Sequence, residues 1–127
     1  MSKYRAILAA LIGASMLGGA AYAADAVSIV YIPKNTGNPY FDSIIKGFTD
    51  GCKKLGCDFT TVAPASAEAT SQIPFVTAQV QRGVNVVAIS PNSPDALDQV
   101  FDRARAKGTI ILSVNSDMPG NEAHRDP

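Results

Sequence analysis

This sequence of 127 residues is short of the residues that most catalytic and metal sites are built from: it has one histidine, two cysteines, no tryptophan and no surplus of positive charge. The single histidine, His124, lies in a polar stretch where the sequence places no nucleophile or orienting acid beside it. It therefore reads as a solvated tail residue rather than a general base. Cys52 and Cys57, with one distant histidine, make no zinc pattern. Lys and Arg total 11 and Asp and Glu total 11, which leaves no basic patch to neutralise phosphates and argues against nucleic acid as a partner. Glycine is present but not grouped. Gly37 stands alone between Thr36 and Asn38, so the close backbone approach that a dinucleotide needs is missing, as is the Gly-Lys-Ser/Thr of a Walker loop. Asp117 has no second carboxylate at a fixed spacing. No catalytic constellation emerges and no cofactor or metal is required; the chain reads as a binding protein, not an enzyme.

What is there begins with a leader. Lys3 and Arg5 form a basic start, Ala6 to Ala20 is apolar and rich in small residues, and Ala21-Tyr22-Ala23 fits the small-x-small rule of signal peptidase. Residues 1–23 are thus expected to be a signal peptide cleaved after Ala23, with the product exported to the periplasm. No cysteine near the cleavage site offers a lipid attachment point, so no permanent membrane anchor is expected. Export permits a disulfide between Cys52 and Cys57. Cys52 also continues an apolar helical stripe and Cys57 opens a strand, so both read equally as small buried apolar residues, the reading that the pattern favours.

From residue 24 to 120 the chain alternates between strand and helix signals. Ala26 to Ile32 reads as a buried strand ended by Pro33. Asn38 is placed as an N-cap with Pro39 at the first helical position, and Phe41, Ile44, Ile45, Phe48, Cys52 and Leu55 form one apolar stripe. Gly56 suits the left-handed residue that ends the helix. Cys57 to Ala63 is a second strand, and Ile73, Val76 and Val80 mark a second helix, whose Pro74 fits if the helix starts near Thr70 or Ser71. Val84 to Ile89 is a continuous apolar run of the central-strand kind. Ser93 and Pro94 are expected to start a third helix with a stripe of Leu97, Val100, Phe101 and Ala104, and Thr109 to Val114 is a fourth strand. The fold class is α/β: a doubly wound parallel sheet of at least four strands, with helices on both faces.

In such a sheet the loops after the strands open on one edge, where ligands bind. That edge collects Lys34 to Phe41, Pro64 to Ala67, Ser90 to Pro94 and Asn115 to Gly120. The candidates for ligand contact are the cation Lys34, the amide Asn38, the aromatic rings of Tyr40 and Phe41, and Asn115 and Asp117. Phe41 also fits the core stripe, Tyr40 lies off it, and Asp117 is equally suited to capping a turn. Residues 121–127 are polar and show no period. They read as the start of a connection to sequence not present, since a four-strand sheet would otherwise leave an uncovered edge.

Three stretches together carry a family likeness: Ile-Pro-Lys-Asn-Thr-Gly-Asn-Pro-Tyr-Phe (32–41), Ser-Pro-Asn-Ser-Pro-Asp-Ala-Leu (90–97) and Val-Asn-Ser-Asp-Met (114–118). Following a signal peptide, they resemble the periplasmic sugar-binding proteins of ABC importers, in the rhamnose- and autoinducer-2-binding branch of the ribose-binding-like superfamily. The resemblance implies the N-terminal lobe of a type I periplasmic binding protein, without its second lobe. It also implies a monosaccharide ligand and docking on ABC permease membrane subunits. Asn38, Tyr40 and Phe41 match the amide and stacking rings of ribose-type members, and Lys34 matches the ligand-contacting lysine of autoinducer-2-type members. That branch has Asp-Ser-Asp where this chain has Asn115-Ser116-Asp117, so an acceptor-only carboxylate is replaced by an amide that also donates. A deoxyhexose such as rhamnose is the first expectation, with autoinducer-2 uptake or a sensor feeding a chemoreceptor as alternatives.

Overall fold

The computed structural model describes residues 25–127, so the expected leader and its cleavage after Ala23 lie outside the described residues. Four strands are present: β1 (Ser28–Ile32), β2 (Asp58–Thr61), β3 (Val86–Ile89) and β4 (Ile110–Ser113). They form one parallel sheet in the order β2-β1-β3-β4. Between them run helices α1 (Asp42–Leu55), α2 (Ile73–Gln81) and α3 (Asp98–Ala106). The expected α/β order and parallel sheet are thus what the chain adopts.

Side-chain alternation along the strands divides the core in two. Val30 and Ile32 of β1, Val87 and Ile89 of β3 and Ile111 of β4 point to one face, where they meet Val76 of α2 and Val100, Phe101 and Ala104 of α3. Tyr31 and Ala88 point to the other, where Phe41 and the α1 residues Ile44, Ile45 and Phe48 cover them. On that second face Tyr31, Phe48 and Phe59 form a stack with ring centroids 5.5 and 5.3 Å apart. β3 is buried along its whole length because it is paired on both sides and covered on both faces, which explains its unbroken apolar sequence.

The element ends follow the expected chemistry, but all three helices begin later than expected: α1 at Asp42, α2 at Ile73 rather than near Thr70 or Ser71, and α3 at Asp98. Asn38 does cap, but what it caps is a 3-10 turn over Pro39–Phe41 that leads into α1, its Oδ1 accepting from the Tyr40 N–H at 3.1 Å. Ser93 Oγ accepts from the N–H groups of Asp95 and Ala96, yet α3 begins only at Asp98. Ser93 therefore caps a turn preceding the helix rather than the helix itself. α2 starts at Ile73 with Pro74 in its first turn, where the missing proline N–H leaves no helical bond unmade. α1 ends at Gly56, whose φ of 75° is the left-handed conformation open to glycine.

The two cysteines are joined, with Cα atoms 4.6 Å apart, so the bridge corrects the reading of both as unlinked apolar residues. The geometric reason lies in the helix end. Gly56 turns the chain back so that the N–H groups of both Gly56 and Cys57 donate to the Cys52 carbonyl, which brings the two Cβ atoms together. Cys52 is nonetheless buried, so that part of the expectation holds. The bridge staples the end of α1 to the start of β2. Replacing both cysteines by alanine should lower the unfolding free energy by ~2 kcal/mol, the loop-closure value for so short a loop. Urea titration of the two proteins checks this; coincident transitions would show that the helix end holds the turn without the bridge.

Candidate functional site

The four loops at the C-terminal edge of the sheet do converge, and they are tied to one another by hydrogen bonds. The Thr36 N–H donates to the Pro64 carbonyl at 2.8 Å, linking the loops after β1 and β2. Asn92 Nδ2 donates to the Lys34 carbonyl at 2.9 Å, and Lys34 Nζ donates to the Pro91 carbonyl at 2.9 Å, linking the loops after β1 and β3. Tyr40 Oη donates to Asn115 Oδ1 at 2.7 Å, across a sequence separation of 75, linking the loops after β1 and β4. Ser90 Oγ donates to the Val114 carbonyl at 2.7 Å, closing the set.

Beneath this rim lies a residue that the sequence reading did not single out. Gln72 is fully buried; its Nε2 donates to the carbonyls of Pro33 at 3.0 Å and Ser90 at 2.8 Å, and its Oε1 accepts from the Asn92 N–H at 2.9 Å. β1 and β3 pair up to Ile32 and Ile89 and then diverge, β1 leading to α1 on one face and β3 to α3 on the other. Gln72 fills the gap and satisfies the backbone groups that the divergence orphans. A signal for it was present. Residues 72, 76 and 79 lie on one helical face, so Gln72 extends the buried stripe of Val76 and Gln79 back by a turn. Ser90 is fully buried too, with Oγ 2.7 Å from the Tyr31 hydroxyl; burial pushes the Tyr31 pKa up.

The predicted ligand residues divide in two. Tyr40 is 62% exposed, Asn115 and Asp117 are exposed, and Lys34 is half-buried with its ammonium latched on Pro91. Asn115 holds a φ of 67°, a left-handed conformation that asparagine tolerates better than most residues. Phe41, by contrast, is 3% exposed, packed in the α1-side core with its ring edge-on to Tyr40. Its core role is the one the structure favours. A groove of about 380 Å³ at this end runs between the β1 loop and the end of β2. It is lined by Asn35, Thr36, Asn38, Phe41, Asp42 and Thr61 among others, so it includes Asn38 and Phe41 but not Lys34, Tyr40, Asn115 or Asp117. Lys34, Tyr40, Asn115 and Asp117 thus lie on the loops outside this groove, and Asn38 and Phe41 lie in its wall.

Asp117 is the most heavily engaged of them. Oδ1 accepts from Ser113 Oγ at 3.0 Å, from the Met118 N–H at 2.9 Å and from Arg125 Nε at 2.8 Å; Oδ2 accepts from Arg125 Nη2 at 3.0 Å. The Arg125 guanidinium, the Met118 amide and the Ser113 hydroxyl together lower its pKa from 3.8 to about 2. Turn capping at Met118 is therefore real, and it coexists with exposure at the rim.

Arg125 comes from the stretch expected to be featureless, and that expectation is corrected. Residues 121–126 fold back onto the domain. Asn121 Nδ2 donates to the Pro94 carbonyl, Asp95 Oδ1 and Asp98 Oδ2. His124 Nδ1 lies 2.8 Å from Asp102 Oδ1 and its Nε2 3.7 Å from Asp98 Oδ2, so it is an anchored residue and not a solvated one. Asp126 exchanges bonds with Ile111 on the outer side of β4, its N–H donating to the Ile111 carbonyl and its Oδ2 accepting the Ile111 N–H, each at 2.8 Å. The β4 edge is partly covered as a result. No group of three or more His, Cys, Asp or Glu side chains suited to a metal ion occurs among the described residues, and none of their helices is long and apolar enough to cross a membrane.

The rim geometry leads to a direct test of its foundation. Gln72→Leu keeps the volume but leaves two carbonyls and one N–H unpaired in the interior, so stability should fall by ~3 kcal/mol in chemical denaturation. A loss below ~1 kcal/mol would mean that the loops rearrange to satisfy those groups without it.

Comparison with known proteins agrees with this architecture. The sequence matches the periplasmic binding protein domain family over residues 29–125. It is 28% identical over 94 residues to the xylose/arabinose-binding protein XylF of Sulfolobus acidocaldarius, covering 74% of this chain and 23% of that protein. A solute-binding protein of an ABC transporter from Clostridium phytofermentas, solved with bound L-rhamnose, superposes with a TM-score of 0.72 at 30% identity, over 77% of this chain and 30% of the other. LsrB from Clostridium saccharobutylicum in complex with AI-2 superposes with a TM-score of 0.69 at 28% identity, over 72% of this chain and 28% of the other. This chain thus spans about a quarter to a third of the length of these relatives. With the parallel sheet, the converging rim and the family match in agreement, the chain belongs to the periplasmic binding protein domain family.

Proposed function

We propose that this chain is a sugar-binding lobe of a periplasmic substrate-binding protein, exported with cleavage after Ala23, which takes a rhamnose-like monosaccharide at the C-terminal edge of its sheet for delivery to an ABC permease. The observation that carries this reading is the bridge from Tyr40 to Asn115, which joins the loops after β1 and β4 at the C-terminal edge of the sheet. A deoxyhexose offers hydroxyls for an amide and a carboxylate, and an apolar ring face for an exposed tyrosine. A relative solved with L-rhamnose supports the choice of ligand class. Asn38 is engaged as a cap and contributes through its Nδ2 amide.

Autoinducer-2 is the second reading, favoured by Lys34 directly after Ile-Pro and by the likeness to LsrB. Asn115 weighs against it, since an amide stands at the place of that branch's first acid.

The rim as it stands is open above, whereas small-ligand sites bury roughly 70–90% of a ligand's surface. Affinity of this chain for a sugar should therefore be weaker than micromolar. Amide chemical-shift titrations with L-rhamnose, D-arabinose and autoinducer-2 test both points. The expected result is weak saturation with L-rhamnose, centred on Lys34, Tyr40, Asn115 and Asp117. Perturbations confined to the groove between Thr36 and Thr61, or to autoinducer-2 alone, would move the site or the ligand. Micromolar saturation would show that one open rim is sufficient.

A further inference from the structure

Every acceptor position on Asp117 Oδ1 is taken: Ser113 Oγ, the Met118 N–H and Arg125 Nε all converge on it. Among the described residues Oδ2 receives only Arg125 Nη2, so one direction on that oxygen is open at the exposed rim. Arg125 approaches with two parallel bonds, the forked geometry that fixes both the position and the plane of a carboxylate. The neighbouring Asn115 is committed in the complementary sense, because its Oδ1 accepts from Tyr40 and its Nδ2 remains as the free donor. The other charged group near this pair is Glu122, whose Oε1 accepts from the Gly120 N–H and whose carboxylate interacts with both Asp117 and Arg125. Ser113 and Met118 bring no charge.

We propose that Arg125 is a positioning residue of the binding site, which orients Asp117 so that a single Oδ2 lone pair faces the ligand and accepts one hydroxyl. The inference rests on the reading of Asp117 as a ligand contact. The site then has a defined polarity: one carboxylate acceptor at residue 117 beside one amide donor at residue 115, matching a ligand that presents a hydroxyl next to an acceptor oxygen. Without the clamp Oδ1 would keep Ser113 and Met118, but Oδ2 would lose its partner and offer both of its acceptor directions, with no such selection. The clamp also keeps the carboxylate ionised in acid. Its pKa of about 2 lies below the ordinary 3.8, so the charged form persists as pH falls through 3.8 and is lost only towards 2.

Two readouts on the full chain separate this role from simple fastening of residues 121–126. The first is the carboxyl carbon resonance of Asp117 followed against pH in the parent chain, Arg125→Lys and Arg125→Ala. The second is L-rhamnose affinity from shift titration at about pH 7 and about pH 3, the latter inside the window between the lowered and the ordinary pKa, to which the clamp contributes most. In the parent, Asp117 should titrate near the acid limit and affinity should be nearly unchanged between the two pH values. In Arg125→Ala the midpoint should rise towards the ordinary carboxylate range, with Met118 and Ser113 still holding it below, and affinity should drop more in acid than near neutrality. Arg125→Lys should hold the charge but not the plane, so the midpoint stays low while affinity is already reduced at about pH 7. Sheet amides such as Val30 and Val87, away from the tail, report whether each variant is folded.

A midpoint that does not move in Arg125→Ala would overturn the clamp. A midpoint that moves while affinity is the same in all three proteins would overturn the positioning role and leave Arg125 a fastening for the tail. Absence of any L-rhamnose effect at the rim of the parent would overturn the positioning role together with the sugar reading. The carboxyl titration would then still show separately whether the clamp exists.

Discussion

The buried amide of Gln72 is the interaction on which the C-terminal edge of this sheet depends. Parallel strands that leave a sheet for opposite faces must part, and the backbone groups just past the last paired residues lose their ladder partners. Here those groups belong to Pro33, Ser90 and Asn92, and one glutamine side chain serves all three. An amide suits the place because it donates twice and accepts on the same short plane. A hydrocarbon in that position would bury three unsatisfied polar groups. A charged residue would require a partner that the surrounding core, with Val76 and Leu97 fully buried, does not supply.

Above that foundation the rim is assembled from long-range polar contacts. Lys34 is latched to one neighbouring loop by its ammonium and held by a second bond at its own carbonyl. Tyr40 spans to Asn115, and Asp117 is gripped by the chain's last turn. Each of these bonds leaves a defined remainder of donors and acceptors, and that remainder is what a ligand would meet. The polarity of the rim is thus set by which hydrogen-bonding positions the protein has already used.

The last residues show how local reading fails where structure is not periodic. Asn121, His124, Arg125 and Asp126 carry no helical or strand pattern, yet each finds a partner on α3, on β4 or on the loop after it. The partners of His124, Asp98 and Asp102, sit one turn apart on α3, a spacing visible in the sequence; nothing in the sequence says that a histidine 22 residues beyond Asp102 returns to them. The disulfide is an intermediate case. The spacing of Cys52 and Cys57 around Leu55-Gly56 was legible, but closure depended on the angle through which Gly56 turns the helix end.

The sequence by itself determined the alternation of strands and helices, the parallel sheet with its two core faces, and the gathering of four polar loops at one edge. Those features follow from short-range periodicity, proline and glycine placement and one-dimensional connectivity, all of which are written locally. It also separated Tyr40 from the core stripe that claims Phe41. Only the tertiary structure decided which side chains plug, latch and clamp that edge: Gln72 under it, Tyr40 on Asn115 across it, Arg125 on Asp117 beside it. The physical reason is that a polar side chain's role is set by whichever donors and acceptors the fold leaves unpaired nearby, and those come from residues far apart along the chain.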